Sequence, residues 1–164
     1  GAKATNADVE ILENMTGTTS AAWRDPVKGG ELAKSQIGRG ADVIYHAAGG
    51  TGIGVLQAAA DAGVLGIGVD KNQNGVHRGK VLTSMLKRVD VAVYQAMMDV
   101  QNGEFTPGIQ SLGLAENGVD VAIDDDNRSL ITPEMAAAIE AAKQKIVSGE
   151  VSVHDYRADD SCPL

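Results

Sequence analysis

Aromatic side chains are nearly missing from this sequence. They make up 3% of its 164 residues: Trp23, Tyr45, Tyr94, Phe105 and Tyr156. Rings cannot fill the interior, so Ala, Val, Ile, Leu and Gly must. Cysteine is reduced to Cys162, which excludes an internal disulfide framework. No nucleophile signature surrounds that thiol, so it reads as incidental or as paired with a cysteine elsewhere. No apolar run reaches the ~18 residues a membrane-spanning helix needs. Basic residues are outnumbered, 14 Lys and Arg against 22 Asp and Glu, for a net charge of −8. That balance argues against nucleic acid as a partner, because phosphates call for clustered Lys and Arg. It also disfavours an anionic membrane surface. The residues after Gly1 are polar and show no leader pattern. The expectation is a chain that starts in mid-protein, with any signal segment lying elsewhere.

What is present is 43% apolar residues and 20 glycines. This composition suits a folded domain with many tight turns. Val9-Glu10-Ile11-Leu12 reads as a short strand. Asp25-Pro26 opens a helix over Val27 to Ile37, with Asp as cap and Pro in the first turn. Ala41 to Ala47 is a strand apolar on both faces, Ile53 to Ala62 a helix, and Val64 to Val69 another buried strand. After a loop over 71–79 come a short strand at Val81-Leu82-Thr83 and a helix over Leu86 to Val100. Strand-like segments follow at Ile109–Leu114 and Val119–Ile123. Thr132-Pro133-Glu134 opens the last helix, which ends near Gly149. Strands alternating with helices predict an α/β fold, a parallel sheet flanked by helices. Ligands of such folds gather at the carboxyl ends of the strands.

Several residues fall there. Gly49, Gly50, Thr51 and Gly52 join a strand to a helix N-terminus, where free backbone N–H groups can donate to an oxygen-rich ligand. The same four residues also fit a plain tight turn. They form no P-loop, since no Gly-Lys-Ser/Thr follows, and they fail the dinucleotide spacing. Asp70 ends a buried strand and can accept two hydroxyl hydrogen bonds from a sugar diol, or serve as an ordinary loop acid or helix cap. Lys87 sits at the next strand-to-helix junction, able to balance Asp70 or to remain solvated. Trp23, in a polar loop, offers a flat face for stacking on a ring, or a lid over the core. His46, His77 and His154 lack metal-ligand spacing and read as structural or exposed. Asp124-Asp125-Asp126-Asn127 lacks the EF-hand pattern and reads as a solvated turn. No metal, no cofactor and no acid–base constellation is expected, so the chain is read as a non-enzyme.

Taken in order, Ala41-Asp42-Val43-Ile44, Ala48-Gly49-Gly50-Thr51-Gly52, Ile67-Gly68-Val69-Asp70 and Val81-Leu82-Thr83-Ser84-Met85-Leu86-Lys87-Arg88-Val89-Asp90 resemble the basic membrane protein family. Its members are substrate-binding proteins of ABC transporters and include purine nucleoside receptors. Asn117-Gly118 and Leu130-Ile131-Thr132-Pro133-Glu134 are similar to its later segments, so the resemblance covers about residues 8–156.

The resemblance implies the two-lobed type I periplasmic-binding-protein fold, with ligand held between lobes joined by hinge strands. It implies that residues 1–84 and 118–164 form the second lobe. Residues 85–117 would return to a first lobe that is mostly absent. It assigns base stacking to Trp23, ribose contacts to Asp70 and Lys87, and the cleft lining to Gly49–Gly52. A Phe often stands in the family where Trp23 stands here. The implied partners are a nucleoside-like small molecule, the missing N-terminal lobe and an ABC transporter permease. The implied location is periplasmic or cell-surface. The alternatives are a sensory or regulatory ligand-binding domain, or a nucleoside-processing enzyme. A helix over Leu86–Gly103 deprived of its own sheet would expose apolar surface.

Overall fold

The computed structural model describes residues 1–161, so Cys162 lies outside the described residues. The chain divides into two compact units. The first holds Gly1–Leu86 and Val121–Leu130; the second holds Lys87–Asp120 and the residues from Ile131 onward.

In chain order the elements are α1 (Ala2–Thr5), α2 (Pro26–Gly38), β1 (Val43–Tyr45), α3 (Gly52–Ala62), β2 (Leu65–Asp70), β3 (Val81–Lys87), α4 (Val89–Asn102), β4 (Val119–Val121), α5 (Pro133–Val147) and α6 (Tyr156–Asp159). The architecture is α/β, with strand order β1-β2-β3-β4. The pairs β1–β2 and β2–β3 are parallel.

Local chemistry sets the helices of the first unit. The Asp25 carboxylate accepts from Lys28 N at 2.9 Å, and Pro26 takes the first helical position of α2. At the end of α3, Gly63 adopts φ 76°, the left-handed conformation that lets the chain leave a helix. Ala33 of α2, Ile44 of β1 and Val55, Ala58 and Ala59 of α3 form the core, with Ile37, Ala41 and Val64 packed against it. Small residues replace rings here, and the two helix backbones come close enough to touch. A methyl group on Gly54 would overlap the Pro26 carbonyl oxygen, and one on Gly29 would overlap the Thr51 carbonyl. Glycine is also required inside β2, where a Cβ at Gly66 would fall 2.6 Å from Leu56 Cδ2.

A web of amides joins β2, β3 and the segment 122–127. Gln73 Oε1 accepts from Val69 N at 2.8 Å, and Gln73 N donates to Ser84 Oγ at 3.0 Å. Ser84 Oγ donates to Asn74 Oδ1 at 2.8 Å. Asn127 Nδ2 donates to the Leu82 and Ala122 carbonyls at 2.8 and 2.9 Å. Asn74, Ser84 and Asn127 are fully buried, where every polar group needs a partner. The turn at Asp124–Asn127 is therefore only partly solvated. Asp125 is open to water, whereas Asp124 accepts from Asn72 Nδ2, Asn74 Nδ2 and Asp126 N. The Asn72 amide leads the influences that hold the Asp124 carboxyl below its ordinary pKa.

Two expected strands do not form. Residues 9–12 are irregular despite their β-branched sequence, and so are residues 109–114. A strand needs a neighbour to satisfy its backbone. Gln36 Nε2 donates to the Leu12 carbonyl at 3.0 Å, so α2, not a sheet, holds the first segment. The second segment folds on itself: Gly118 N donates to the Gly113 carbonyl at 2.8 Å.

In the second unit, α4 has no buried residue, and Val93, Tyr94, Met97 and Val100 are exposed. Thr132 caps α5 by accepting from Met135 N at 3.2 Å. Lys143 of α5 pairs with Asp120 at 2.6 Å and Glu140 at 3.3 Å.

Two predictions follow from the first unit. Gly54→Ala forces α2 from α3 and costs about 1–3 kcal/mol. Gly38→Ala, where a methyl meets nothing within 4 Å, is neutral or stabilising by up to about 1 kcal/mol. Urea unfolding of both variants checks the contrast. For Asp124, a depressed folded pKa means stability that is present above the ordinary carboxylate range, about 3.9, and lost as pH falls through the folded value. Asp124→Asn is expected to cost about 1 kcal/mol at neutral pH and to flatten that acid loss. Unfolding midpoints measured between pH 2.5 and 7 give the comparison.

Candidate functional site

The carboxyl ends of β1 and β2 open onto one rim of the first unit. The segment after β1 runs through His46 to a short 3-10 turn at Gly49–Thr51, which leads straight into α3. Gly49 has φ 53°, and a Cβ there would meet the Trp23 ring 3.3 Å from Cε3. A Cβ at Gly50 would fall 3.2 Å from the Trp23 carbonyl oxygen. Trp23 ends its own 3-10 turn, Ser20–Trp23, and is 55% exposed. The structure thus seats the indole beside the glycine turn and leaves much of its surface open.

Thr51 fastens these two turns together. Its buried hydroxyl donates to the Ala22 carbonyl at 2.7 Å and accepts from Asp25 N at 2.8 Å. The side chain has no surface of its own on the rim and acts by holding Trp23 and the cap of α2. Gly52 is buried under His46: a Cβ there would run into the imidazole ring. Glycine lets the ring lie on the first turn of α3.

His46 is 4% exposed, and neither ring nitrogen makes a hydrogen bond of normal geometry among the described residues. Burial holds its pKa below the ordinary value; a weak approach of Gln73 and the charge of Asp70 act the other way. His46 therefore packs on the glycine turn, within reach of the charge of Asp70.

Asp70 closes β2 with φ 68°, while Lys71 N donates to the Val69 carbonyl at 2.8 Å. A positive φ is uncommon outside glycine, and a hydrogen bond spanning two residues about it closes a γ-turn in its rare and strained form. The turn carries the carboxylate out to an exposed position. Such strain gathers at functional sites. In the β2–β3 register, Asp70 is level with Leu86, the residue before Lys87. Lys87 ends β3 and is the first residue of the second unit. Trp23, Gly49, Gly50, Thr51, Gly52 and Asp70 all belong to the first unit.

Sequence reasoning missed the parts that lie behind the rim. It read Thr51 only as a member of the turn and passed over Gln73, Asn74 and Ser84. One clue was available: Asn72, Gln73 and Asn74 put three side-chain amides in a row directly after a buried strand. Among the described residues, no group of three or more His, Cys, Asp or Glu could hold a metal ion.

Residues 1–157 match the family described as "ABC transporter substrate-binding protein PnrA-like". The chain is 35% identical over 170 residues to the CD4+ T-cell-stimulating antigen of Listeria monocytogenes serovar 1/2a, across 93% of this chain and 46% of that protein. It is 32% identical over 172 residues to the ABC transporter nucleoside-binding protein BmpA of Lactococcus lactis subsp. cremoris, with the same two coverages, 93% and 46%. The chain thus spans about half the length of these curated relatives. Among solved structures, an ABC transporter solute-binding protein from Aeropyrum pernix K1 superposes with TM-score 0.77 at 30% identity, over 96% of this chain and 52% of that one. The parallel sheet, the ordered motifs and these likenesses agree, and the chain belongs to the PnrA-like family of ABC transporter substrate-binding proteins.

Proposed function

We propose that this chain is part of a receptor that captures a nucleoside, a purine nucleoside foremost, and presents it to an ABC importer without chemically altering it. One observation carries the reading: an open indole rests on a glycine turn, on the same unit and rim as an acid thrust outward by a left-handed backbone. A ring that stacks and a carboxylate that accepts two hydroxyls match a heterocycle joined to a sugar diol. The name of the lactococcal relative supports the same ligand class.

In this reading Trp23 stacks on the base, Asp70 and Lys87 hold the ribose hydroxyls, and the turn Gly49–Gly52 lines the cleft. Thr51 keeps the turn in place. Residues 85–117 return to the first lobe, and closure of two lobes about hinge strands buries the ligand and creates the form the permease recognises. The protein works outside the cytoplasm, as the name of a lipoprotein relative in Pyrococcus abyssi suggests.

Calorimetric titration of the full-length protein with inosine, adenosine, guanosine and free ribose tests this. A purine nucleoside should bind and ribose alone should bind far more weakly. Asp70→Ala should cost about 2–5 kcal/mol of binding energy, and Trp23→Ala about 1–3 kcal/mol. No binding of any nucleoside, or unchanged affinity in both variants, would sink the reading. Release of free base during the titration would show an enzyme instead.

A further inference from the structure

The carboxyl end of β2 outruns its neighbour on one side. β1 ends at Tyr45, level with Ile67. Leu65 N donates to the Asp42 carbonyl on the β1 side, and Gly66 N donates to the Lys80 carbonyl on the β3 side. Backbone groups alternate along a strand. Val69 N therefore turns to the β1 side, beyond the point where β1 stops.

The Gln73 side chain takes the place of a strand there. It is buried, and its Oε1 accepts from Val69 N at 2.8 Å. It lies directly over Gly68, where a Cβ would fall 2.8 Å from Gln73 Cβ and 2.9 Å from Oε1. Its own backbone is tied to β3, Gln73 N donating to Ser84 Oγ at 3.0 Å. On the other side of Val69, the Val69 carbonyl accepts from Lys71 N at 2.8 Å. Both peptide planes flanking Val69 are thus held, one by Gln73 and one by the turn at Asp70. Asp70 hangs from the second plane, so the Gln73 amide governs where its carboxylate points.

We propose that Gln73 is a positioning residue for ligand binding. By holding Val69 N it aims Asp70 at two adjacent sugar hydroxyls, and so sets the preference for a ribonucleoside over its 2′-deoxy counterpart. The proposal rests on the reading of Asp70 as the acceptor of those hydroxyls. A carboxylate grips both hydroxyls only when each of its oxygens lines up with one; turned aside, it keeps a single good bond. The affinity lost with the 2′-hydroxyl therefore reports how well Asp70 is aimed.

Calorimetric titration of the full-length protein with inosine and 2′-deoxyinosine tests it. The wild-type protein should prefer inosine by roughly tenfold or more, as expected for one hydrogen bond to a charged group. Gln73→Met is close in volume but cannot accept from Val69 N. It should bring the two affinities to within roughly threefold of each other. Gln73→Asn, a carbon too short to reach Val69 N, should do the same and replaces the Met variant if that one does not fold. Ser84→Ala removes a hydrogen bond of the same web but leaves the Gln73 oxygen on Val69 N. It should lower the urea midpoint and keep the wild-type preference. Added to Asp70→Ala, Gln73→Met should change inosine affinity by less than about twofold, because residues acting through one contact are not additive. Four results would overturn the proposal while leaving nucleoside capture standing: no preference in the wild-type protein, an unchanged preference in the Gln73 variants, an additive loss with Asp70→Ala, or a preference reduced as far by Ser84→Ala. No nucleoside binding by the wild-type protein would overturn both.

Discussion

Everything on the rim depends on how closely α2 and α3 approach. Gly29 and Gly54 bring one helix backbone against the other, and there is no room at either place for a single carbon more. Because the helices meet this way, the Thr51 hydroxyl reaches both the Ala22 carbonyl and Asp25 N. Those bonds fix where the Trp23 turn ends and where α2 begins. A sequence poor in rings can define a surface site because backbone-to-backbone contact tolerates less error than the packing of large side chains. The indole is then set on a rigid base.

A second layer of order lies under the end of β2. Gln73, Ser84 and Asn74 are linked in a chain of hydrogen bonds, and Asn127 meets Asn74 at the Ala122 carbonyl. A buried amide left unpaired costs about 1–3 kcal/mol, so such a set favours one arrangement strongly over others. It anchors the strand end from which Asp70 emerges. His46 is the exception, a buried ring without a conventional partner among the described residues. Its neighbours are the first turn of α3 and the charge of Asp70.

The helices were legible in the sequence because their signals are local. Asp25-Pro26, Gly63, Gly103 and Thr132-Pro133 lie where the structure starts or stops a helix. The central strands were legible because Ile44 and the Leu65–Val69 run are apolar enough to be read without knowing their neighbours. Val9–Leu12 and Ile109–Leu114 were not, since a strand exists only with a partner and partners are set by the tertiary fold. The same divide runs through the site. The glycine turn and Asp70 stand at strand ends that a pattern reveals. The duty of Thr51 depends on a carbonyl 29 residues away, and the amide web depends on contacts between Asn74 and a segment 48 to 50 residues on. No spacing rule encodes those distances.

The positive φ of Asp70 restricts which codons can serve at that position. Glycine and asparagine share its tolerance of the left-handed region, whereas valine, isoleucine and threonine do not. Random replacement would therefore sort into two classes. Glycine would keep the backbone conformation while removing the negative charge, and β-branched residues would damage the strand end itself. Backbone shape and electrostatic purpose can be separated at this residue by choice of substitution, a distinction that an alanine scan alone would blur.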